Sequence, residues 1–370
     1  MAISAIFDAE NWAHVPFHFW SVIFFVFGSM IGSFLNVCIH RMPLGESIVS
    51  PPSHCPHCKY SIPWFLNFPL ITWLYLKGKC ANCSAPISIR YFLVELLTGL
   101  MFLGCWLLFG HQSVWLALVY CLFLAGLIVA TFIDFAHFII PDEITFGGMV
   151  VGFLCSAVVP AMHGANNAPN SMKQSFLGIL VGGGLIYLIL RIGKLAFGRQ
   201  KLDLSPLSKI IFTETAIVLP DQEILYEELF YRRSDIVRLH ASIVELSDRC
   251  YRDVAVSLTP AKLTIGDEVL DPTNIPYMEA TTEQLVLPRE AMGLGDVKFM
   301  AAIGAFLGWP AIVFSLMVSS IIGSIVGITL IVMKKQAWSS RLPYGPYIAL
   351  AAAIWVFGGH HFWEYLWMRR

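Results

Sequence analysis

Long apolar runs separated by short polar segments dominate the chain. Runs close to the ~20 residues that a helix needs to cross hydrocarbon occur at 18–39, 91–110, 114–133, 144–162, 176–193, 310–333 and 345–362. A shorter run at 298–308 would make an eighth. Because each run predicts a spanning helix, the pattern indicates an all-α polytopic membrane protein of about eight transmembrane helices.

Basic residues between the runs indicate which loops face the cytoplasm. They gather within 40–90, 191–201 and 334–341. Eight spans with both termini outside place all three loops on the cytoplasmic side and make residues 1–17 an extracytoplasmic segment. That segment carries acids and no basic region, so we expect no removable targeting peptide. If the short run does not span, the sidedness of the last part inverts.

The composition supports a membrane protein and gives no reason to expect a nucleic-acid-binding protein. Hydrophobic residues make up 57% of the 370 residues and charged residues only 13%, a balance that a water-soluble globule cannot carry on its surface. The net charge of −1 gives no indication of nucleic acid as a partner.

One stretch, residues 199–290, differs from the rest. It holds 16 of the 25 acidic residues and no run long enough to span. Alternating apolar and polar positions at 236–246 and 253–265 favour strands. We therefore expect a small β-rich insert on the cytoplasmic side, serving as a spacer or docking module because it contains no catalytic motif.

Four cysteines form two Cys-x2-Cys pairs in the 40–90 loop: Cys55, Cys58, Cys80 and Cys83. Two such knuckles can offer four thiolates to a tetrahedral zinc ion, and their separation is close to that of known double-knuckle sites. A cytoplasmic loop would be reducing, which argues against disulfides. The sequence predicts a structural zinc site, with free thiols or redox pairs as the alternative.

Carboxylates stand near the ends of two apolar runs. Asp134 lies at the end of the third, Asp142 follows Pro141, and Asp296 lies in MGLGDVKFM at 292–300. The predicted topology puts all three at one membrane face. Two carboxylates brought together from different helices can divide the roles of acid and base in aspartic proteolysis, and their titration would belong to the pair.

The surroundings of Asp296 leave two interpretations open. Gly293 and Gly295 would let backbone or an extended substrate approach the carboxylate, and they tolerate unusual torsions. Lys298 could pair with an acid or with a lipid phosphate. Alternatively, Asp134 and Asp296 are ordinary helix-end charges, with Asp296 as an N-cap-like residue.

Several longer segments occur together and in order. They are GSFLNVCIHRMP (32–43), the two cysteine knuckles, NFPLITWLYLKGKC (67–80), ISIRYFLVELLTG (87–99), Asp-x6-Pro-Asp from Asp134, GLGDVK (293–298) with GAFLGW (304–309), and LPYGPY (342–347). In this combination the chain resembles the type IV prepilin peptidases over nearly everything except the insert.

The resemblance implies a bacterial inner-membrane aspartic protease of the Gly-x-Gly-Asp type. Its catalytic pair would be Asp134 in 91–198 and Asp296 in 291–370, with Asp142 as a rival to Asp134. The family removes the leader peptide of type IV prepilins and pilin-like secretion proteins (pseudopilins) at the cytoplasmic face. The insert, which many members lack, could recruit substrates or contact pilus or secretion assembly proteins.

Members with the cysteine-rich loop commonly also methylate the new N-terminal amine with S-adenosylmethionine, so the resemblance implies a methyltransferase part within 40–90. Candidates for binding the methyl donor are taken from the resemblance: Gly32, Ser33, Asn36, Arg41 and Glu95. Glu95 has a reason of its own, because an ionisable residue in an apolar run is a functional candidate. Arg90 or Arg41 could pair with it, and a purely structural role is the alternative.

Two other classes compete with an enzyme. An ion-coupled transporter would need a series of acids deeper within the spans and gives no reason for the cysteine quartet. A non-catalytic scaffold of a secretion or pilus machine would not depend on Asp134 or Asp296.

Overall fold

The computed structural model describes residues 16–197, 199–220, 223–230, 235–275, 277–288, 293–333 and 342–359, together with His361, Trp363 and Tyr365. Nearly all of the predicted N-terminal segment 1–17, and the basic residues of 334–341, lie outside the described residues. The chain divides into two compact units, one formed by Met1–Tyr187 with Gly293–Arg370 and the other by Leu188–Met292.

The first unit is helical, and each predicted apolar run forms all or part of a helix. In chain order the helices are α1 (Phe17–Arg41), α2 (Ile71–Tyr75), α3 (Ile89–Phe109), α4 (Val114–His137), α5 (Asp142–Val158), α6 (Ala168–Phe197), α7 (Tyr226–Leu229, in the second unit), α8 (Leu294–Val332) and α9 (Gly345–Ile354). A 3-10 turn at Pro160–His163 follows α5, and a π-helical turn at Trp355–Gly359 follows α9.

Five helices in the described part of the chain are long and apolar enough to cross a membrane, namely α1, α3, α4, α6 and α8. The protein is thus a multi-pass membrane protein. Helix α5 has only 17 residues and α9 only ten, so the predicted number of eight spans, and the cytoplasmic side of the loops, remain predictions.

Helix α8 is interrupted where the sequence separates its short run from the next. At 39 residues a continuous helix would be about 58 Å long, nearly twice the thickness of the hydrocarbon. Gly308 breaks it with φ 76° and ψ 176°, and Pro310 follows. Since positive φ is accessible to glycine at little cost, the boundary predicted between 298–308 and 310–333 is explained by this residue.

Small residues let the helices of this unit approach closely, as is common in membranes. A Cβ added to Gly178 of α6 would lie 2.0 Å from the carbonyl oxygen of Gly304 in α8. One added to Gly32 of α1 would lie 2.7 Å from Cα of Glu95 in α3. Backbone therefore packs against backbone at both crossings.

The second unit contains one antiparallel sheet of eight strands in the order β3-β2-β1-β8-β4-β5-β6-β7. In chain order the strands are β1 (Arg199–Phe212), β2 (Ala216–Val218), β3 (Glu223–Leu225), β4 (Val237–Leu246), β5 (Cys250–Thr259), β6 (Lys262–Ile265), β7 (Glu268–Leu270) and β8 (Met278–Pro288). The prediction of a β-rich insert is confirmed. Its second predicted strand, 253–265, is a hairpin of β5 and β6 that turns at Pro260.

Alternation within the strands produces the core of this unit. Val237, Leu239 and Ala241 of β4 are buried while the residues between them are exposed, as expected for a sheet with one covered face. They join Leu285 and Leu287 of β8 in a single apolar cluster. The insert therefore has a hydrophobic core of its own.

Candidate active site

Asp134 lies in the last turn of α4, and only 5% of its surface is exposed. Helix α9 begins beside it, and the backbone N–H of Gly345 donates a hydrogen bond of 2.9 Å to its Oδ2. The first N–H groups of a helix have no acceptor within the helix, and the N-terminus favours negative charge. The start of α9 is thus a natural partner for this carboxyl group.

Asp296 is the third residue of α8 and is 9% exposed. The interpretation that it is itself the N-cap is wrong, because the cap is Gly293. The Asp296 carboxyl group instead accepts a hydrogen bond from the backbone N–H of Gly293, as the acidic member of a capping box does. Asp296 therefore stabilises the N-terminus of α8 and is almost fully buried at the same time.

The fold brings Asp134 and Asp296 together. Their carboxyl groups are close enough to interact electrostatically, although 161 residues separate them in the chain. Ile140, in the turn between α4 and α5, lies beside Gly295 of α8 and Gly345 of α9. A Cβ atom added at Gly295 would lie 3.5 Å from its Cβ, and one added at Gly345 would lie 3.1 Å from its Cδ1. Helices α4, α8 and α9 thus meet around two buried acids.

Asp142 lies nearby but in a different environment. It opens α5, its side chain is 60% exposed, and its Oδ1 accepts a hydrogen bond of 2.6 Å from Nζ of Lys298. The sequence suggested either an acid or a lipid phosphate as the partner of Lys298. In the structure its partner is an acid, Asp142. The Lys298 amine also lies 5.0 Å from the ring centre of Phe146, so this ion pair forms a rim outside the buried pair.

The glycines beside Asp296 do not have the torsions that the sequence suggested. Gly293 has φ −72° and ψ 151°, and Gly295 is helical; neither has a positive φ. A Cβ at either position would make only ordinary contacts, the nearest at 3.5 Å. The space around the two glycines is therefore open to another molecule.

Gly345 is a site residue that sequence reasoning missed. It lies in the LPYGPY segment at 342–347, which contributed to the family resemblance but carries no reactive group. A Cβ on Gly345 would lie 2.7 Å from Oδ2 of Asp134. Only the tertiary contact shows why a residue without a side chain is needed there.

The cysteine quartet is assembled as predicted. The four Sγ atoms lie within 4.8 Å of one another, with Cys55 and Cys83 3.8 Å apart and Cys58 and Cys80 4.0 Å apart. Four sulfur atoms around a zinc ion at ~2.3 Å would be separated by about 3.8 Å. The structure contains no disulfide bond among the nine cysteines, all of which lie in its described part.

The two knuckles repeat one backbone turn. The N–H of Cys55 bonds to the carbonyl of Tyr60, and that of Cys80 bonds in the same way to Ala85. Lys59 and Ser84, each following the second cysteine of its pair, both have φ 58°. The repetition fits a loop shaped around one four-coordinate ion.

Backbone donors favour the thiolate form of two cysteines in this loop. At Cys83 the backbone hydrogen bond of Ala85 is outweighed by desolvation and by the neighbouring thiols, which raise the pKa to about 12. A backbone hydrogen bond from Tyr60 lowers the pKa of Cys58 to about 6, and backbone hydrogen bonds from Cys83 and Asn82 lower the pKa of Cys80. Because the thiolate is the metal ligand, the donor set fits zinc.

The residues suggested for the methyl donor are bonded within the fold. Arg41 donates to the carbonyls of Ser47 and Pro51 at 3.0 and 2.8 Å. Asn36 donates to the carbonyl of Tyr91 at 3.0 Å, and its Oδ1 is buried without a partner. Of these two side chains, Asn36 Oδ1 is the atom left to meet a ligand, and the assignment of a methyl-donor site to these residues stays a prediction.

Glu95 has neither of its suggested ion-pair partners. Its Oε2 accepts a hydrogen bond of 2.8 Å from the backbone N–H of Leu70, and its carboxyl group also bonds to the Ser33 side chain. Arg41 is occupied by loop carbonyls, while Arg90 lies 5.6 Å from the ring centre of Tyr91. The contacts of Glu95 join the cysteine-rich loop to α1 and α3.

Comparison with known proteins agrees with this geometry. The family model described as "Bacterial Peptidase A24 N-terminal domain" matches residues 26–109, and the model described as "Type IV leader peptidase family" matches 121–202 and 273–328. The second match omits 203–272, most of the β-sheet unit. No solved structure matches the chain.

Relatives cover the same regions. A protein of Aeromonas hydrophila named prepilin leader peptidase/N-methyltransferase is 28% identical over 93% of this chain and 92% of its own length. One of the same name from Myxococcus xanthus is 39% identical over 49% of this chain and 51% of its own. A protein of Escherichia coli named type 4 prepilin-like proteins leader peptide-processing enzyme is 37% identical over 47% of this chain and 68% of its own length. The two family models together match more than half of the chain, and it belongs to the type IV leader peptidase family.

Proposed function

We propose that this protein is a membrane aspartic endopeptidase that removes the leader peptide of type IV prepilins and pilin-like secretion proteins. The observation that carries the proposal is the meeting of two buried carboxyl groups, Asp134 and Asp296, from separate helices. The names of the relatives, prepilin leader peptidase among them, supply the substrate class.

The chemistry requires the two acids in different protonation states. One carboxylate removes a proton from a water molecule as its oxygen attacks the scissile carbonyl carbon. The other carboxyl group donates a hydrogen bond to the carbonyl oxygen, and a proton then passes to the leaving amine as the C–N bond breaks. Two adjacent carboxyls share a proton readily because both cannot ionise at low cost, and positioned proton transfer contributes roughly 10²–10⁴-fold to the rate.

Asp134 rather than Asp142 is the partner of Asp296 in this proposal. Asp134 is buried and receives the N–H of Gly345, whereas Asp142 is exposed and neutralised by Lys298. We assign the Asp142–Lys298 pair to the mouth of the site, where Gly293 and Gly295 leave space for an extended substrate.

The active face lies on the cytoplasmic side of the bacterial inner membrane in this proposal. Asp134 ends α4 and Asp296 begins α8, so both lie at helix ends. In the eight-span topology, the loops that carry most of the basic residues lie at the same membrane face as these two helix ends. Loops rich in basic residues stay in the cytoplasm. The leader of a prepilin would reach the site from that side.

Cys55, Cys58, Cys80 and Cys83 would hold a structural zinc ion. When bound, the ion supplies cross-links that fix the fold of the loop, and it takes no part in proteolysis. Methylation of the new N-terminus, with S-adenosylmethionine as donor, is supported by the names of the relatives.

The two competing classes have less support. In the described part of the helical unit the buried acids are Glu95, Asp134 and Asp296, which do not form the series that an ion-coupled transporter needs. A scaffold gives no reason for burying two interacting carboxyls. A docking role of the 199–290 insert toward assembly proteins is compatible with the peptidase and remains a prediction.

The test is cleavage of a synthetic prepilin by purified protein in detergent. Asp134→Asn and Asp296→Asn should each abolish leader removal while the protein still inserts and elutes as wild type. Asp142→Asn should retain much more activity, because it removes an exposed ion pair of the kind worth about 0–1 kcal/mol. Full cleavage by either of the first two variants would refute the pair, and the reverse order of Asp134 and Asp142 would reassign it.

A further inference from the structure

An apolar surface is exposed in the loop between α1 and α3. We call residues 65–75 the loop segment; they include a 3-10 turn ending at Leu66 and helix α2. Ile71, Leu74 and Tyr75 are 68%, 58% and 78% exposed. Their spacing of three and four residues places them on one helical face.

The opposite face of the loop segment is fixed to the helical unit. Trp73 packs against Phe92 of α3 with ring centres 5.2 Å apart, and its Nε1 donates to the carbonyl of Ile87 at 3.4 Å. The segment is therefore held in place with its large apolar side chains turned outward.

Hydrogen bonding locates the segment along the membrane normal. The N–H of Leu70 donates to Oε2 of Glu95, and Glu95 lies six residues inside α3, about 9 Å from the helix start. Helix α3 has 21 residues, or about 31 Å, which matches the hydrocarbon thickness. Even if the Glu95 side chain extends back toward the helix start, Leu70 lies within the span of α3 and not above it.

The exposed face continues a surface that lipid covers. Ile89, Leu93, Leu97 and Leu100 of α3 are 58%, 48%, 36% and 46% exposed, as expected of a spanning helix that faces acyl chains. Lys77 and Lys79 follow the segment and are exposed. An apolar face beside basic residues is the arrangement of helices that lie in the membrane interface.

We propose that the loop segment inserts into the membrane leaflet at the Ile89 end of α3, with Ile71, Leu74 and Tyr75 among the acyl chains and the lysines toward lipid phosphates. This revises the prediction that 40–90 is wholly a cytoplasmic loop. The inference does not depend on the peptidase activity, since it rests on depth and exposure alone. A substrate helix or a second copy of the chain on this face are the other occupants.

The experiment is photo-crosslinking of the full-length protein in vesicles of phosphatidylethanolamine and phosphatidylglycerol, with no substrate added. p-Benzoylphenylalanine replaces Leu74 or, separately, Tyr75. The same probe at Leu93, on the lipid-facing side of α3, is the positive control. Val269, 58% exposed in β7 of the sheet unit, is the negative control. Metal content and gel filtration check that each variant is folded.

We expect lipid adducts at Leu74 and Tyr75 in yields like that at Leu93, and their absence at Val269. Adducts at Leu93 alone would overturn the proposal. So would crosslinks to a second copy of the chain in place of lipid. In a second sample, to which a prepilin is added, replacement of the lipid adducts by peptide adducts would overturn it as well, because the face would then be a substrate groove.

Discussion

Replacing Gly345 with alanine should impair catalysis without removing either acid. The new Cβ would lie 2.7 Å from Oδ2 of Asp134 and 3.1 Å from Cδ1 of Ile140, whereas an unstrained contact needs about 3.5 Å. The Asp134 carboxyl group must therefore move by about 0.8 Å, which also weakens its 2.9 Å bond from the Gly345 N–H.

The size of the effect follows from that displacement. A misplacement of about 1 Å in a catalytic constellation can cost 10²-fold. A hydrogen bond to a charged group is worth about 1.5–3 kcal/mol, and each 1.4 kcal/mol corresponds to a factor of about ten. We expect kcat for leader removal to fall about 10- to 100-fold, with KM nearly unchanged because Gly345 is a positioning residue.

Gly126→Ala is the matched control. It introduces the same methyl group in α4, the helix that carries Asp134, at a position with no atom within 4 Å of the new Cβ. Its kcat and melting temperature should be those of wild type or slightly better. If Gly345→Ala is folded and cleaves as fast as Gly126→Ala, the Gly345–Asp134 contact does not set the geometry of the site and the reasoning fails.

The other predictions concern the metal loop, helix packing and the sheet. Cys55→Ser should lower bound zinc, measured by elemental analysis, whereas Cys250→Ser should leave it near one ion per chain; equal content in both would disprove the site. Gly178→Ala should lower the melting temperature in detergent, since its Cβ would overlap the backbone of α8, while Gly184→Ala, with open space around it, should not; equal temperatures would refute the close crossing. Leu285→Ala, in a fully buried position of β8, should cost the sheet about 2–5 kcal/mol and speed its hydrogen exchange; unchanged exchange would contradict the assigned core.

Local patterns allowed much of the fold to be predicted. The apolar runs gave the helices because helix formation in a membrane depends on a continuous apolar stretch. Alternation in 236–246 predicted β4, but the pattern at 253–265 did not reveal the turn at Pro260, since two short strands of a hairpin can continue one alternation. The count of spans could not be settled from run length, because α5 and α9 are short and Gly308 divides α8.

The site was only partly predictable. Asp134, Asp142 and Asp296 are equivalent in the sequence as acids at the ends of apolar runs. The structure distinguishes them by their burial and their partners. Asp142 is exposed and pairs with Lys298, whereas Asp134 is buried and accepts a hydrogen bond from the N–H of Gly345. Residues 134 and 345 are 211 positions apart, and no local pattern contains that contact.

The sequence by itself determined the membrane class, the helical runs, the β-rich insert and the cluster of four cysteines, because each depends on residues that are neighbours in the chain or on short spacings within one loop. Tertiary structure alone decided which acids meet, why Gly345 has no side chain, and that Leu70 reaches Glu95 inside α3. These features arise where distant segments pack together, and packing depends on shape and burial in three dimensions, which the order of the residues does not display.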